Sequence, residues 1–132
     1  MKKHIVPFII LICSLVFYSG CSSKTNTVSF TADVFPLFTR SCGVCHRREG
    51  GNPNAATTLV FFETEKDILS KSTEDIRPGK PEESSLVRIV SRVQKVGENN
   101  ILMPPPDSGV NEWTEEEILL FAKWIKEGAK EN

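Results

Sequence analysis

Apolar residues recur at helical spacing in three stretches of this chain, and the first stretch covers residues 33–42. Val34, Leu37 and Phe38 fall on one face of a helix drawn through it, which is the pattern of a helix that packs on a core. Asp33 can cap this helix, and the proline in its first turn is tolerated there. We therefore predict a first helix that ends at the first of two closely spaced cysteines.

The middle of the chain predicts a longer helix and a shorter one. Residues 82–94 carry an apolar stripe behind Pro81, a residue well suited to the first turn of a helix. Residues 65–70 are long enough for one or two helical turns. Residues 50–54 read Gly-Gly-Asn-Pro-Asn and predict a loop, whereas the apolar run from Leu59 to Phe62 fits either a strand or a packed loop. The stripe consists of Leu86, Ile89, Val90 and Val93.

The last helix has the clearest start signal in the sequence. Thr114 and Glu117 have the spacing of a capping box, in which each side chain bonds the other residue's free backbone N–H. Trp113 before the cap and Ile118 after it can form a hydrophobic staple, and Gly128 is suited to end the helix. The apolar face comprises Ile118, Phe121, Ala122 and Ile125, widened by Leu120 and Trp124.

These elements predict a small all-α fold of three to five helices. The chain has 132 residues, enough for one small domain, and 39% hydrophobic and 25% charged residues, as is ordinary for a soluble globular protein. The formal net charge is -1, and it becomes -3 if Lys2 and Lys3 are removed, because residues 1–20 carry no acid. No basic patch indicates nucleic acid, and the acidic balance favours partners with basic docking surfaces.

Residues 1–20 have the layout of a targeting segment and predict a signal peptide. Lys2 and Lys3 form its basic start, and residues 5–17 form an apolar stretch that is short for a membrane-spanning helix. We therefore expect the domain that follows, residues 30–132, to be exported from the cytoplasm.

The end of the signal, Tyr18-Ser19-Gly20-Cys21, resembles the lipobox of bacterial lipoproteins, in which small residues precede a cysteine that is lipidated. Tyr18 replaces the usual Leu-like residue. Cys21 is therefore the expected lipidation site, and the polar residues 21–29 predict a flexible tether. Lipidation would place the domain on the periplasmic side of the cell envelope, at the inner or outer membrane. A secretory signal or an uncleaved anchor, with Cys21 unmodified, stays open and also exports the domain.

The sequence Cys42-Gly43-Val44-Cys45-His46 is the attachment signature of c-type haem. In this chemistry two thiols add across the haem vinyl groups, and the adjacent imidazole binds the iron. The two intervening residues let both sulfur atoms reach one edge of the porphyrin. Cys42, Cys45 and His46 are therefore predicted to bind one covalent haem c.

Each axial ligand of such a haem has one candidate. The sequence holds two His and two Met, of which His4 lies in the predicted signal and Met1 is the initiator. His/Met ligation would therefore use His46 and Met103. Three prolines follow Met103, and their stiff, extended geometry reduces the chain entropy lost in placing the sulfur. The alternative is a methionine packed in a loop.

Other uses of the motif have less support in the rest of the sequence. A zinc site needs about four ligands, and beyond Cys42, Cys45 and His46 there is no obvious fourth, since Cys21 is distant on the tether. A thioredoxin-like dithiol belongs in a βαβ context, which is absent from the pattern. A chance occurrence stays open. With Cys13 in the signal and Cys21 lipidated, no cysteine remains for a disulfide.

Some neighbouring residues have two interpretations. Arg47 and Arg48 fit either pairing with haem propionates or a solvated basic pair. Trp113 and Trp124 could line a haem crevice, but the staple and the packed helix face favour core positions. The proximal imidazole should bond a backbone carbonyl through its second nitrogen; the sequence does not identify that carbonyl, and Pro53 is a guess.

Several stretches along the chain resemble, in order, those of one family. They are Asp33-Val34-Phe35-Pro36-Leu37-Phe38, Cys42-Gly43-Val44-Cys45-His46, Pro78-Gly79-Lys80-Pro81-Glu82-Glu83-Ser84-Ser85-Leu86, Met103-Pro104-Pro105 and Trp124-Ile125-Lys126-Glu127-Gly128-Ala129. The chain is most similar to the Planctomycete-type cytochrome c domain, a small monohaem c-type cytochrome. Lys80 departs from the acidic residue that the family often has there. The resemblance implies a cytochrome c-like fold around one covalent haem c, His46/Met103 coordination and electron transfer.

Two other classes of function stay open beside an electron carrier. One is a haem-based sensor or peroxidase-like protein with Met103 off the iron. Peroxidase chemistry needs a distal acid–base group, and the mature chain has no His beyond His46. The other is a structural lipoprotein without haem. We expect an electron carrier rather than an enzyme, with redox proteins as partners and the membrane reached through the lipid.

Overall fold

The computed structural model describes residues 26–51, 60–71, 73–92 and 102–132, which form helices and loops without a β-strand. The all-α prediction is confirmed for this part of the chain. The elements are a π-helical turn (Phe30–Val34), α1 (Phe35–Ser41), α2 (Glu65–Leu69), a 3-10 helix (Pro81–Glu83), α3 (Ser85–Ser91) and α4 (Glu115–Lys126).

Several sequence predictions concern residues outside this part of the chain. The signal peptide, Cys21 and the tether as far as residue 25 lie outside the described residues, as do Pro53, Leu59 and Val93. Within the described ranges, no helix has the length and apolar character needed to cross a bilayer.

The first helical segment begins earlier than its apolar stripe predicts. Ser29 is the cap of the π-helical turn, and its hydroxyl accepts from the N–H of Ala32 at 3.2 Å. The Asp33 carboxylate accepts from the N–H of Ser29 at 2.8 Å. The N-cap is therefore Ser29 and not the predicted Asp33, which bonds back to Ser29 from within the segment. The fully buried Phe30 joins the apolar face. This reciprocal bonding satisfies N–H groups that the start of a helix leaves free.

The predicted helix over residues 82–94 is divided in two. A 3-10 turn, Pro81–Glu83, precedes α3, Ser85–Ser91, and Ser84 between them has an extended backbone (φ -84°, ψ 122°). Ser84 is fully buried, and its hydroxyl accepts from one backbone N–H at 2.8 Å and donates to a carbonyl at 3.0 Å. These local bonds compete with helix geometry at this position. Arg92 ends α3 with φ +56°.

The last helix is as predicted. The N–H of Glu117 donates to the Thr114 hydroxyl at 3.3 Å, and the N–H of Thr114 donates to the Glu117 carboxylate at 2.9 Å. Gly128 ends the helix with φ +105°, a region that favours glycine. The Glu117 carboxylate also pairs with Arg40 at 2.9 Å, which ties the start of α4 to α1.

Aromatic rings form the centre of the core. Phe38 lies 5.2–5.3 Å from the ring centroids of Phe62, Trp113 and Phe121. Trp113 and Trp124 are 6% and 2% exposed, so the core interpretation of both tryptophans is confirmed. Burial of each Phe side chain contributes about 1.5–3 kcal/mol, and this cluster therefore holds α1 and α4 together.

Candidate functional site

The two-cysteine motif continues the turns of α1. The N–H of Cys42 donates to the carbonyl of Phe38 at 2.8 Å, and the N–H of His46 donates to the carbonyl of Cys42 at 2.8 Å. Residues four positions apart on a helical turn share a face, so His46 stands one turn beyond Cys42. The N–H of Cys45 donates to the same carbonyl at 3.1 Å. Helix α1 thus positions the whole motif.

The loop at residues 60–62 orients the side chain of His46. Its Nδ1 lies 3.0 Å from the carbonyl oxygen of Val60. A carbonyl only accepts, so Nδ1 carries a proton, and Nε2 is the nitrogen that has the lone pair when the ring is neutral. The N–H of Phe62 donates to the carbonyl of His46 at 3.0 Å, and the two rings meet edge to face at 5.6 Å. The apolar run is therefore a packed loop over the described residues 60–62. The carbonyl that faces the imidazole is that of Val60 and not that of Pro53.

One cleft brings together all four residues predicted to hold haem. It has a volume of about 350 Å³, within the range of small-molecule sites. Cys42, Cys45, His46 and Met103 all line it, although Met103 is far from the others in sequence. The remaining lining is mostly apolar and comprises Phe38, Ser41, Val60, Phe62, Lys71, Asp75, Leu86, Ile89, Val90, Pro104 and Pro105.

Helix α3 forms the wall of the cleft on the Met103 side. Leu86, Ile89 and Val90 of α3 line the cleft, and the N–H of Met103 donates to the carbonyl of Ile89 at 3.4 Å. Met103 is half-buried and Pro104 is buried. The stripe that predicted a middle helix therefore also forms part of the site.

The thiols are free, and their setting is unlike that of a redox dithiol. Burial, and then the neighbouring Cys45, raise the pKa of Cys42 to about 12, while Lys71 acts in the opposite direction. Cys42 is therefore a neutral thiol at physiological pH. Dithiol oxidoreductases instead lower the pKa of their attacking cysteine, so this setting does not favour the thioredoxin-like alternative.

Arg48 is engaged outside the cleft. Its guanidinium bonds Asp67 and Glu63, each at 2.7 Å, and the hydrogen bond from Arg48 holds the pKa of Asp67 well below its usual range. Arg47 donates to the carbonyl of Gly50 at 2.7 Å. Neither arginine lines the cleft, so the interpretation as surface basic residues fits both better than pairing with propionates.

Three polar residues that the sequence analysis did not single out line the cleft instead. Ser41 is 5% exposed, and its hydroxyl has no hydrogen-bond partner among the described residues. Lys71 is half-buried, its Nζ lies 4.5 Å from the centre of the Phe62 ring, and burial lowers its pKa. Asp75 is the third. Their spacing carries no motif, and only Ser41, which precedes Cys42, had a sequence signal.

The donor set fits a haem of the c type. The cleft holds two thiols, an imidazole whose Nδ1 faces the carbonyl of Val60, and a thioether, within a largely apolar wall. Within the described ranges there is no group of three or more His, Cys, Asp or Glu side chains that could bind a metal ion directly. A haem iron needs only two protein ligands beyond the porphyrin.

Comparison of the chain with protein-family models, with curated proteins and with solved structures finds no match.

The glycine at position 51 allows the chain to close against the motif. A Cβ on Gly51 would lie 2.5 Å from the carbonyl oxygen of Cys45 and 2.8 Å from that of Arg47. These are backbone atoms, so the motif itself would have to move. At Gly50 (φ +67°) a Cβ would meet only the Arg47 side chain, at 3.7 Å.

We expect Gly51→Ala to destabilise the protein more than Gly50→Ala. The steric clash at residue 51 should cost about 2–3 kcal/mol, whereas the left-handed backbone at residue 50 should cost about 1 kcal/mol. Urea unfolding of both variants measures the difference. Equal midpoints would show that the chain near residue 51 does not pack against the motif as described.

Proposed function

We propose that this chain is a membrane-tethered, extracytoplasmic monohaem cytochrome c that transfers single electrons between redox proteins. The observation that carries the proposal is the convergence of Cys42, Cys45, His46 and Met103 on one cleft. The first three lie within residues 42–46, but nothing in the local sequence requires Met103 to line the same cleft. The absence of other His and Met residues from the mature chain adds weight to this arrangement.

The residues of the cleft would have distinct roles. Cys42 and Cys45 would each add S–H across one vinyl C=C bond. The sulfur atom would attach to one carbon and the hydrogen atom to the other, with no net oxidation or reduction. His46 would bind iron through Nε2, since Nδ1 is bonded to the carbonyl of Val60, and Met103 would bind iron through its sulfur. When bound, haem would supply a one-electron couple between ferric and ferrous iron.

The rest of the cleft suits electron transfer better than substrate chemistry. Its walls are mainly aliphatic and aromatic, which keeps water away and favours the less charged, ferrous state. Lys71 lines the cleft and would supply a cation for a propionate. Outer-sphere transfer needs no acid–base group, and no second His exists in the mature chain to serve as one.

The absorption spectrum of the purified protein is the decisive experiment. The chain should be produced in a host that attaches haem to exported proteins. We expect a low-spin spectrum with one haem per chain and a far-red sulfur–iron band in the oxidised form. A high-spin spectrum, or robust peroxide turnover by the native protein, would favour the haem sensor or peroxidase-like alternative. If the purified protein had no pigment, the remaining interpretation would be a structural lipoprotein without haem.

Lipidation of Cys21 is part of the proposal and has its own test. We expect Cys21→Ser to release the protein from membranes or to block its processing, because the acyl chains of a mature lipoprotein supply the stable anchor. Detergent partitioning and intact mass measure the change. Cys13→Ser, within the predicted signal peptide, is the matched control and should leave anchoring unchanged. An unmodified Cys21 in mature protein from its native host would contradict lipidation.

A further inference from the structure

The loop that carries Met103 has few ways to bond its surroundings. Proline has no backbone N–H, so Pro104, Pro105 and Pro106 offer only carbonyl oxygens. The N–H of Met103 does donate to the carbonyl of Ile89, but at 3.4 Å this bond is long. Within the loop, the N–H of Ser108 donates to the carbonyl of Pro105 at 3.2 Å. Fixing the rest of the loop depends on donors that reach its carbonyl groups from elsewhere.

Arg92 supplies such a donor. Its Nη2 donates to the carbonyl of Pro104 at 3.0 Å and pairs with Oε1 of Glu112 at 2.5 Å. The Arg92 side chain is 27% exposed and that of Glu112 is 55% exposed. One nitrogen thus links the end of α3, the Met103 loop and the segment that leads into α4. Hydrogen bonds from a charged donor are shorter and stronger than neutral ones.

The backbone at Arg92 does not explain why arginine occupies this position. Arg92 ends α3 in the left-handed region, with φ +56°. Helices usually place glycine or asparagine there, because a Cβ disfavours that conformation. The contacts of its side chain are what favour arginine.

We propose that Arg92 is a positioning residue, which with Glu112 holds the Pro104 carbonyl and so fixes the Met103 sulfur over the cleft. The inference deepens the proposed function and rests on it where ligation is concerned. The contact between Arg92 and the loop is a property of the chain itself. Holding the loop favours a bonded sulfur over a free one, since less motion is lost on ligation.

The test uses Arg92→Gly in the protein as purified. Glycine suits the left-handed backbone, so this variant removes the guanidinium without straining the helix end. Hydrogen exchange at the Met103 amide should accelerate about tenfold, as expected for losing one charge-assisted bond. If the protein carries haem, the far-red sulfur–iron band should weaken and the reduction potential should fall, while the haem stays attached.

Three further variants separate positioning from general stability. Arg92→Lys keeps a cationic donor and should restore part of the band and of the slow exchange. Glu112→Gln should weaken the far-red band and accelerate exchange at the Met103 amide, as Arg92→Gly does, but by a smaller amount. Arg88→Ala, on the same helix and without an ion pair among the described residues, should change neither.

The two proposals fail in distinguishable ways. Unchanged exchange at Met103 in both Arg92→Gly and Glu112→Gln would overturn the positioning role, whatever the protein binds. Faster exchange in a protein that carries no haem would support the contact and overturn the cytochrome function. Should Arg92→Gly not fold, the exchange measured in Glu112→Gln decides the matter.

Discussion

Replacing Cys42 and Cys45 together by alanine is expected to abolish covalent haem attachment completely. Each thiol would form one thioether, and both line the same cleft. Among the residues that the structure describes, no other thiol lines that cleft. The wild-type protein should keep its haem stain after denaturing electrophoresis, and the double variant should show none.

The matched control for this experiment lies between the two cysteines. Val44 is 45% exposed and does not line the cleft, so Val44→Ala should retain the stain. The result that would contradict covalent attachment is measured on the wild-type protein. If acidified organic solvent extracted its pigment, the haem would be held without thioether bonds, and the assignment of both cysteines would be wrong.

Met103→Ala should leave the haem attached but lower its reduction potential, on the order of 0.1 V within the ~0.8 V range that axial ligands span. A thioether is a soft ligand that stabilises ferrous iron, so its removal favours the ferric state. The far-red sulfur–iron band should vanish with the shift. Spectroelectrochemical titration of the variant measures both changes.

Pro106→Ala is the control for the Met103 variant. Pro106 is exposed on the same loop and does not line the cleft. Its replacement loosens the loop but removes no ligand, so the band should remain and the potential should change much less than in Met103→Ala. A wild type that lacks the band and is already high-spin would show that Met103 is not the ligand. That result would support the interpretation of the protein as a haem-based sensor.

The pattern of apolar and capping residues was sufficient to predict those elements that depend only on residues close together in sequence. The capping box of Thr114 and Glu117 formed as predicted, and residues 65–70 contain a helix, Glu65–Leu69. Capping and helical periodicity involve residues three or four positions apart. Both are therefore visible in the sequence.

Helix boundaries were less predictable, because side-chain hydrogen bonds that do not follow the spacing of the apolar residues determine them. Ser29 begins the first helical segment through bonds that move the cap upstream of the apolar stripe. Ser84 interrupts the middle one by bonding the N–H of Arg77 and the carbonyl of Lys80. Neither bond belongs to a repeating pattern.

The candidate residues of the site are visible in the amino-acid sequence, whereas their meeting in one cleft depends on how the chain folds. The motif at Cys42, Cys45 and His46 is local, and Met103 stood out because the sequence has only one other methionine, the initiator Met1. Their common cleft, the Val60 carbonyl that orients His46 and the nearby Lys71 appeared only in the folded chain. The physical reason is that every residue has a backbone carbonyl and most surfaces carry a lysine, so neither marks a site until packing brings distant segments together.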